Sequence, residues 1–219
     1  MNPIELLNKH CKFDRNCVYI LMAIARKKDH PHITCSTEIV FREIIRDDTQ
    51  IARKFNKLKQ LTKNYEDEKG NKYNFYIYVS VNPRNTLMGW QVLQKEMSLH
   101  MYELLTNADI HHLFRKIDNL WCSALAKECC AYKKLGKKFV LDIDTKDKKK
   151  LSEINDCLRI VELTIDPITQ ETRNGYHYVT NVFDKHKFTQ LILLKNLKKY
   201  VEVKTDGMLF LDYINNKED

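Results

Sequence analysis

The order of strand-like and helix-like segments after Gly136 constrains the fold of this chain more than any other feature of its sequence. Strand patterns are predicted at 138–144, 159–165, 176–182, 201–204 and 208–213, helical patterns at 147–156 and 185–196, and a turn at 167–174. Only Asp206-Gly207 and their neighbours separate the last two strands, which predicts a hairpin. Strands joined by a tight turn are antiparallel, so the sequence predicts an α+β fold rather than a doubly wound parallel sheet.

The first 135 residues mix the same two kinds of pattern. Strand-like segments lie at 18–25 and 73–81, a helix is predicted at 49–61, and two long helices are predicted between 88 and 132. The chain has no repeat and no Gly/Ser-rich or Pro-rich linker. We therefore expect one compact unit with two parts, an N-terminal α/β and helical subdomain (1–135) and a second subdomain (136–219).

Composition excludes several kinds of nucleotide site. Only five of the 219 residues are glycine and no two lie within six residues of each other, so the GxGxxG, GxxxxGK and GxSxG loops are all missing. The net charge of +8 favours anionic partners such as nucleic acid. Seven cysteines without CxxC pairs or regular spacing, together with the lack of a signal peptide or an apolar run long enough to span a bilayer, predict a reducing intracellular compartment and no membrane contact.

The segment FVLDID at 139–144 is the strongest chemical signal. Successive side chains of a strand alternate between its faces, so Asp142 and Asp144 share one face while Leu141 and Ile143 point into a core. Two such carboxylates can bind a hard cation such as Mg²⁺. The alternative is that Asp144 or Asp147 caps the helix that follows.

A second signal is TRNGYHYVT at 172–180, a polar turn that leads into a strand. Arg173, the flexible backbone at Gly175 and His177 could together bind a triphosphate. The alternative for His177 is a strand histidine bonded only within the core. A third acid, Glu202, points away from the apolar neighbours in its strand, with Asp206 in reserve because a hairpin turn already explains an aspartate before glycine.

A strand ending in DxD, an (S/G)xH strand about thirty residues later and an acid on a later strand together resemble the archaeo-eukaryotic primase superfamily, particularly its small phage, plasmid and viral members. The resemblance covers roughly residues 136–213, and Gly175 stands where that superfamily usually has serine. It implies that the second subdomain is an RRM-like antiparallel catalytic sheet. It also implies a DNA-dependent primase or DNA polymerase, a nucleotidyltransferase that synthesises primers on a single-stranded template by two-metal-ion catalysis.

The resemblance also implies roles for particular residues. The Mg²⁺ or Mn²⁺ ligands and catalytic acids would be Asp142, Asp144 and Glu202, with Asp206 in reserve. The residues that bind the nucleoside triphosphate would be His177, Arg173, Asn174 and Thr180. The residues that bind nucleic acid would be Lys137, Lys138 and Lys146. Because no Walker motif is present, a helicase or other replisome partner would be a separate protein. A viral protein of this kind would work in the host cytoplasm or nucleus.

Two other functions remain open at this stage. One is a non-catalytic nucleic-acid-binding replication protein with the same fold. The other is a metal-dependent nuclease, which would use the same acids to cleave rather than extend a strand.

Overall fold

The computed structural model describes residues 2–31, 33, 38–106, 117–161 and 165–216, which form mixed α+β structure with two antiparallel sheets, as predicted. The helices are α1 (Pro3–His10), α2 (Ile51–Lys63), α3 (Thr86–Thr106), α4 (Ile117–Ala126), α5 (Lys148–Ile160) and α6 (Lys185–Leu194). The strands are β1 (Cys17–Ala25), β2 (Ile39–Ile45), β3 (Phe75–Ser80), β4 (Arg84–Asn85), β5 (Lys138–Ile143), β6 (Ile165–Glu171), β7 (Tyr176–Asn181), β8 (Val201–Lys204) and β9 (Met208–Ile214).

The first sheet has the strand order β2-β1-β3-β9, and the short β4 also pairs with β1. One of its faces packs against α1 and α2, and α2 contributes Ile51, Phe55 and Leu58 at helical spacing. On the opposite face, Val18 and Ile20 pack against Leu125 of α4. Both faces of the central strand β1 are therefore covered, which explains its continuous apolar sequence.

The second sheet has the order β6-β7-β5-β8, and all its pairings are antiparallel. Its segments follow the chain order β5-α5-β6-β7-α6-β8. Leu141 and Ile143 lie under the two helices and pack against Ile154 of α5 and Phe188 of α6. The alternation predicted for this strand is confirmed, because Asp142, which lies between Leu141 and Ile143, points to the opposite face.

The predicted hairpin between the last two strands is wrong. Strand β8 pairs with β5, whereas β9 crosses to the first sheet and pairs with β3. The crossing is anchored at the first sheet, because the Val81 N–H donates to the Gly207 carbonyl (3.0 Å) and Asp206 forms an ion pair with buried Arg84. The division predicted at residues 135 and 136 stays a prediction, although β9 joins the sheet of the first part.

The strand predicted at 159–165 and the turn predicted at 167–174 are also wrong in their positions. Helix α5 continues to Ile160, and Val161 is buried in the same core as Leu158, so core packing outweighs the β-branched sequence of this segment. Strand β6 then covers most of the predicted turn. The register of β6 against β7 shifts between Ile165 and Thr169, which accommodates Pro167 within a strand.

Two further properties follow from the described residues. None of their helices is long and apolar enough to cross a membrane. The free thiols among them include Cys11, Cys17, Cys129, Cys130 and Cys157.

Candidate functional site

A cleft of about 470 Å³ lies between the two sheets. This volume falls within the range of about 300–1,000 Å³ that is typical of small-molecule sites. The residues that line it from the side of the first sheet are Arg26, Lys28, Asp29, Tyr76, Tyr78 and Phe210. Those from the side of the second sheet are Asp142, Asp144, Thr172, Arg173, Asn174, His177 and Lys204. The cleft therefore brings together five of the predicted site residues, Asp142, Asp144, Arg173, Asn174 and His177.

Three of the predicted residues form a row across the second sheet. In the strand register, Asp142 of β5 lies opposite His177 of β7 on one side and opposite Glu202 of β8 on the other. Residues directly opposite each other in antiparallel strands share a face. The row therefore lies on the face turned away from the helices, and its members come from the three segments that the sequence singled out.

Both carboxylate oxygens of Asp142 have a protein partner. Oδ1 lies 3.3 Å from His177 Nε2, and Oδ2 lies 2.5 Å from Lys204 Nζ. The backbone N–H of Phe210 donates to His177 Nδ1 over 3.2 Å. Because a backbone N–H can only donate, Nδ1 is the acceptor of this hydrogen bond, and Nε2 is the ring nitrogen that can donate to Asp142.

These contacts determine the charge of the pair. Burial raises the pKa of Asp142, but the hydrogen bonds that it accepts from His177 and Lys204 lower it more, so the pKa lies well below its ordinary range. Burial lowers the pKa of Lys204, but the hydrogen bond and negative charge of Asp142 raise it above its ordinary value. Asp142 is therefore a carboxylate and Lys204 an ammonium at neutral pH.

Asp144 follows the last residue of β5, and its exposed carboxylate faces the cleft. Its backbone N–H donates to the Tyr200 carbonyl over 2.8 Å, which holds the end of the strand in place. The helix that follows is capped by Asp147, whose Oδ1 accepts from the Lys149 N–H over 2.9 Å. The capping alternative therefore applies to Asp147, and Asp144 remains available to a ligand.

Glu202 stands apart from the other two acids. Its side chain is 71% exposed, and its Oε2 lies 3.5 Å from Lys204 Nζ. In the part of the chain that the structure describes, no three His, Cys, Asp or Glu side chains are arranged to hold a metal ion. The donors nevertheless suit Mg²⁺ or Mn²⁺ by type, since Asp142 and Asp144 bring carboxylate oxygens to one cleft.

The turn before β7 explains why position 175 is a glycine. Gly175 N–H donates to Thr172 Oγ1 over 3.1 Å, and Thr172 N–H donates to the Gly175 carbonyl over 2.8 Å. A Cβ atom at position 175 would lie only 1.8 Å from the Ile143 carbonyl oxygen. Only glycine allows this turn to pack against the end of β5, and the packing brings Arg173 and Asn174 to the cleft.

Two predicted residues lie elsewhere. Thr180 is three residues after His177, so it lies on the opposite face of β7, where it is fully buried. Asp206 Oδ2 lies 2.6 Å from Arg84 Nη1 in a buried ion pair. Neither residue lines the cleft, so the proposed nucleotide contact of Thr180 and the reserve metal role of Asp206 have no support in the geometry.

The three lysines predicted to bind nucleic acid also lie outside the cleft lining. Lys137 Nζ lies 3.3 Å from Glu128, and Lys146 Nζ lies 2.6 Å from Glu171. The backbone N–H of Lys138 donates to Asn82 Oδ1 over 2.7 Å at the start of β5. Lys137 and Lys146 thus form surface ion pairs, which are worth little energetically and remain open to exchange with phosphate.

The first sheet supplies an aromatic wall that the sequence analysis missed, formed by Tyr76, Tyr78 and Phe210. The Arg26 guanidinium lies 4.5 Å from the ring centroid of Tyr76 and 5.6 Å from that of Tyr78, and it donates to the Tyr78 hydroxyl. Arg173 reaches this wall from the second sheet, where a hydrogen bond to Tyr76 raises the pKa of Arg173. Strand alternation in YNFYIYVSV puts Tyr76 and Tyr78 on one face, so the sequence could have predicted that these two rings lie side by side.

Comparisons with known protein families, with curated proteins and with solved structures find no match to this chain.

Proposed function

We propose that this protein is a primase-type nucleotidyltransferase that extends a primer on a single-stranded DNA template. The observation that supports this most directly is the row of His177, Asp142 and Glu202 across β7, β5 and β8. The primase resemblance requires its histidine and its acids to meet on one face of one sheet. The chain order β-α-β-β-α-β with both helices on one face also agrees with an RRM-like catalytic sheet.

In this proposal, Asp142 and Asp144 hold divalent ions together with Glu202, which lies beside Asp142 on the same face. When bound, Mg²⁺ or Mn²⁺ would favour deprotonation of the attacking hydroxyl and neutralise charge on the departing pyrophosphate. His177 offers its Nε2–H as a hydrogen-bond donor beside these acids. Arg173 and Asn174 enter the cleft from the turn before β7, where they can bind phosphate oxygens.

The opposite wall suits a nucleobase. Tyr76, Tyr78 and Phe210 place aromatic rings across the cleft from the acids, and Arg26 adds a planar guanidinium. Aromatic and guanidinium groups bind bases by stacking without selecting a sequence, as copying of an arbitrary template requires. The cleft thus combines an aromatic side for a base with a charged side for phosphates and metal. A helicase or another replisome protein would act as a separate partner.

The test is incorporation of labelled nucleotides on a single-stranded template with Mg²⁺ or Mn²⁺. The double variant Asp142→Asn, Asp144→Asn should lose at least about a hundredfold in activity, because it removes the groups that stabilise charge in the transition state. Asp156→Asn, a change at a partly exposed acid on α5, should retain activity. Melting temperatures of all variants show whether each is folded. Full activity of the folded double variant would refute the proposal.

One observation favours a second candidate, a non-catalytic nucleic-acid-binding protein of the same fold. Lys204 already neutralises Asp142, as a structural ion pair would. Such a protein should bind single-stranded DNA equally well with and without divalent ions and should incorporate no nucleotide. Cleavage of the template without extension would instead identify a nuclease.

A further inference from the structure

Lys204 lies between two of the proposed metal ligands. Its Nζ is 2.5 Å from Asp142 Oδ2 and 3.5 Å from Glu202 Oε2. Asp142 and Glu202 face each other on β5 and β8, and Lys204 follows Glu202 by two residues on the same face of β8. The strand pairing alone therefore directs the ammonium towards both carboxylates.

A positive charge at this place has a direct chemical consequence. An ammonium donates hydrogen bonds to the lone pairs that a divalent cation would coordinate and repels that cation by its like charge, so its presence weakens binding of a divalent cation to the same oxygen. The other oxygen of Asp142 faces His177 Nε2 at 3.3 Å. A metal ion that approaches Asp142 therefore meets a protein donor at either oxygen.

Lys204 is also able to move. Its side chain is 38% exposed and lines the cleft, so its flexible stem can carry the ammonium into the cleft without unfolding the strand. We propose that Lys204 and a divalent cation compete for the same carboxylate oxygens, so that Lys204 limits the affinity of the site for Mg²⁺ or Mn²⁺. This inference rests on the proposed function, because it takes Asp142 as a metal ligand.

The test measures Mn²⁺ affinity of the full chain from the electron paramagnetic resonance signal of free Mn²⁺. Lys204→Met removes the charge but keeps a side chain of similar length, and Lys204→Gln keeps a polar group. Lys28→Met is the matched control, because it removes one charge from the same cleft at a residue for which the described structure gives no ion pair. Asp142→Asn shows whether the ion binds at the proposed site, and melting temperatures without metal show that each variant is folded.

Both Lys204 variants should bind Mn²⁺ at least tenfold more tightly than the wild type, whereas Lys28→Met should change the affinity less than threefold. Unchanged or weaker binding by both Lys204 variants would overturn the inference, as would an equal gain in Lys28→Met. In either case, the proposed function would still stand if Asp142→Asn abolished the binding of Mn²⁺. Two results would refute both proposals, because they would show that the proposed metal site does not exist. One is that neither the wild type nor the Lys204 variants bind Mn²⁺, and the other is that Asp142→Asn binds Mn²⁺ as tightly as the wild type.

Discussion

A steric constraint, rather than an unusual backbone conformation, requires glycine at position 175. The glycine packs so closely on β5 that a Cβ atom would meet the Ile143 carbonyl oxygen at 1.8 Å. We expect Gly175→Ala to lower the free energy of unfolding by on the order of 3 kcal/mol, because two backbone segments would have to separate. Urea unfolding measures this loss.

Gly207→Ala is the matched control for that variant. A Cβ atom there would lie 3.2 Å from the Lys204 side chain and 3.3 Å from that of Val140, which small adjustments can relieve. We expect it to cost less than about 1 kcal/mol. If Gly175→Ala proved as mild as this control, the steric explanation of the glycine at position 175 would be wrong.

At the scale of secondary-structure elements, the path of the chain from β8 to β9 separates two acids. The sequence left both as candidates for the third metal ligand. Glu202 stays on β8 beside Asp142, whereas Asp206 lies at the crossing to the first sheet and pairs with buried Arg84. Removing one partner of a buried ion pair leaves a buried charge without compensation. The two acids should therefore respond differently to neutralisation.

We expect Asp206→Asn to destabilise the protein by about 3–5 kcal/mol while the folded fraction retains nucleotide incorporation. Glu202→Gln should change stability by less than about 0.5 kcal/mol, since its side chain is exposed, but should lower incorporation. Urea unfolding and incorporation assays on both variants test this pair of outcomes. A fully active Glu202→Gln variant would remove Glu202 from the proposed site.

At the scale of the whole molecule, the site exists only because two sheets meet. Charge also acts at this scale, since the net charge of +8 includes the cleft residues Arg26, Lys28, Arg173 and Lys204. If three or four of these contact phosphates, single-strand binding should weaken with salt, with a log–log slope of about −2 to −3. Fluorescence anisotropy of a labelled oligonucleotide measures this slope.

Two charge-removing variants locate the contacts. Arg173→Gln should make the slope shallower by about 0.7, because it removes one phosphate contact. Lys146→Gln should leave the slope unchanged if its ion pair with Glu171 persists in the complex. A slope near zero in the wild type would contradict nucleic-acid binding through this cleft. If only Lys146→Gln made the slope shallower, the surface around Lys146 would be favoured as the binding surface.

Local patterns in the sequence determined the α+β class and the strand at 138–144 with its two faces, which puts Asp142 and Asp144 on one side. These are short-range properties, because alternation along a strand depends only on backbone geometry. The same reasoning erred at 159–160, which form the end of α5 although their segment favours a strand, because Leu158 and Val161 on either side are buried in one core.

Only the tertiary structure decided the partner of β9, the burial of Thr180, the aromatic wall and the contact of Lys204 with Asp142. Each depends on segments far apart in the chain, as when the Arg26 guanidinium meets the ring of Tyr76. Strand alternation places a residue on one face or the other, but it does not say which sheet or side chain that face will meet. That choice is made when both sheets bury their apolar faces together, since burial of apolar surface is non-directional and depends on the whole chain.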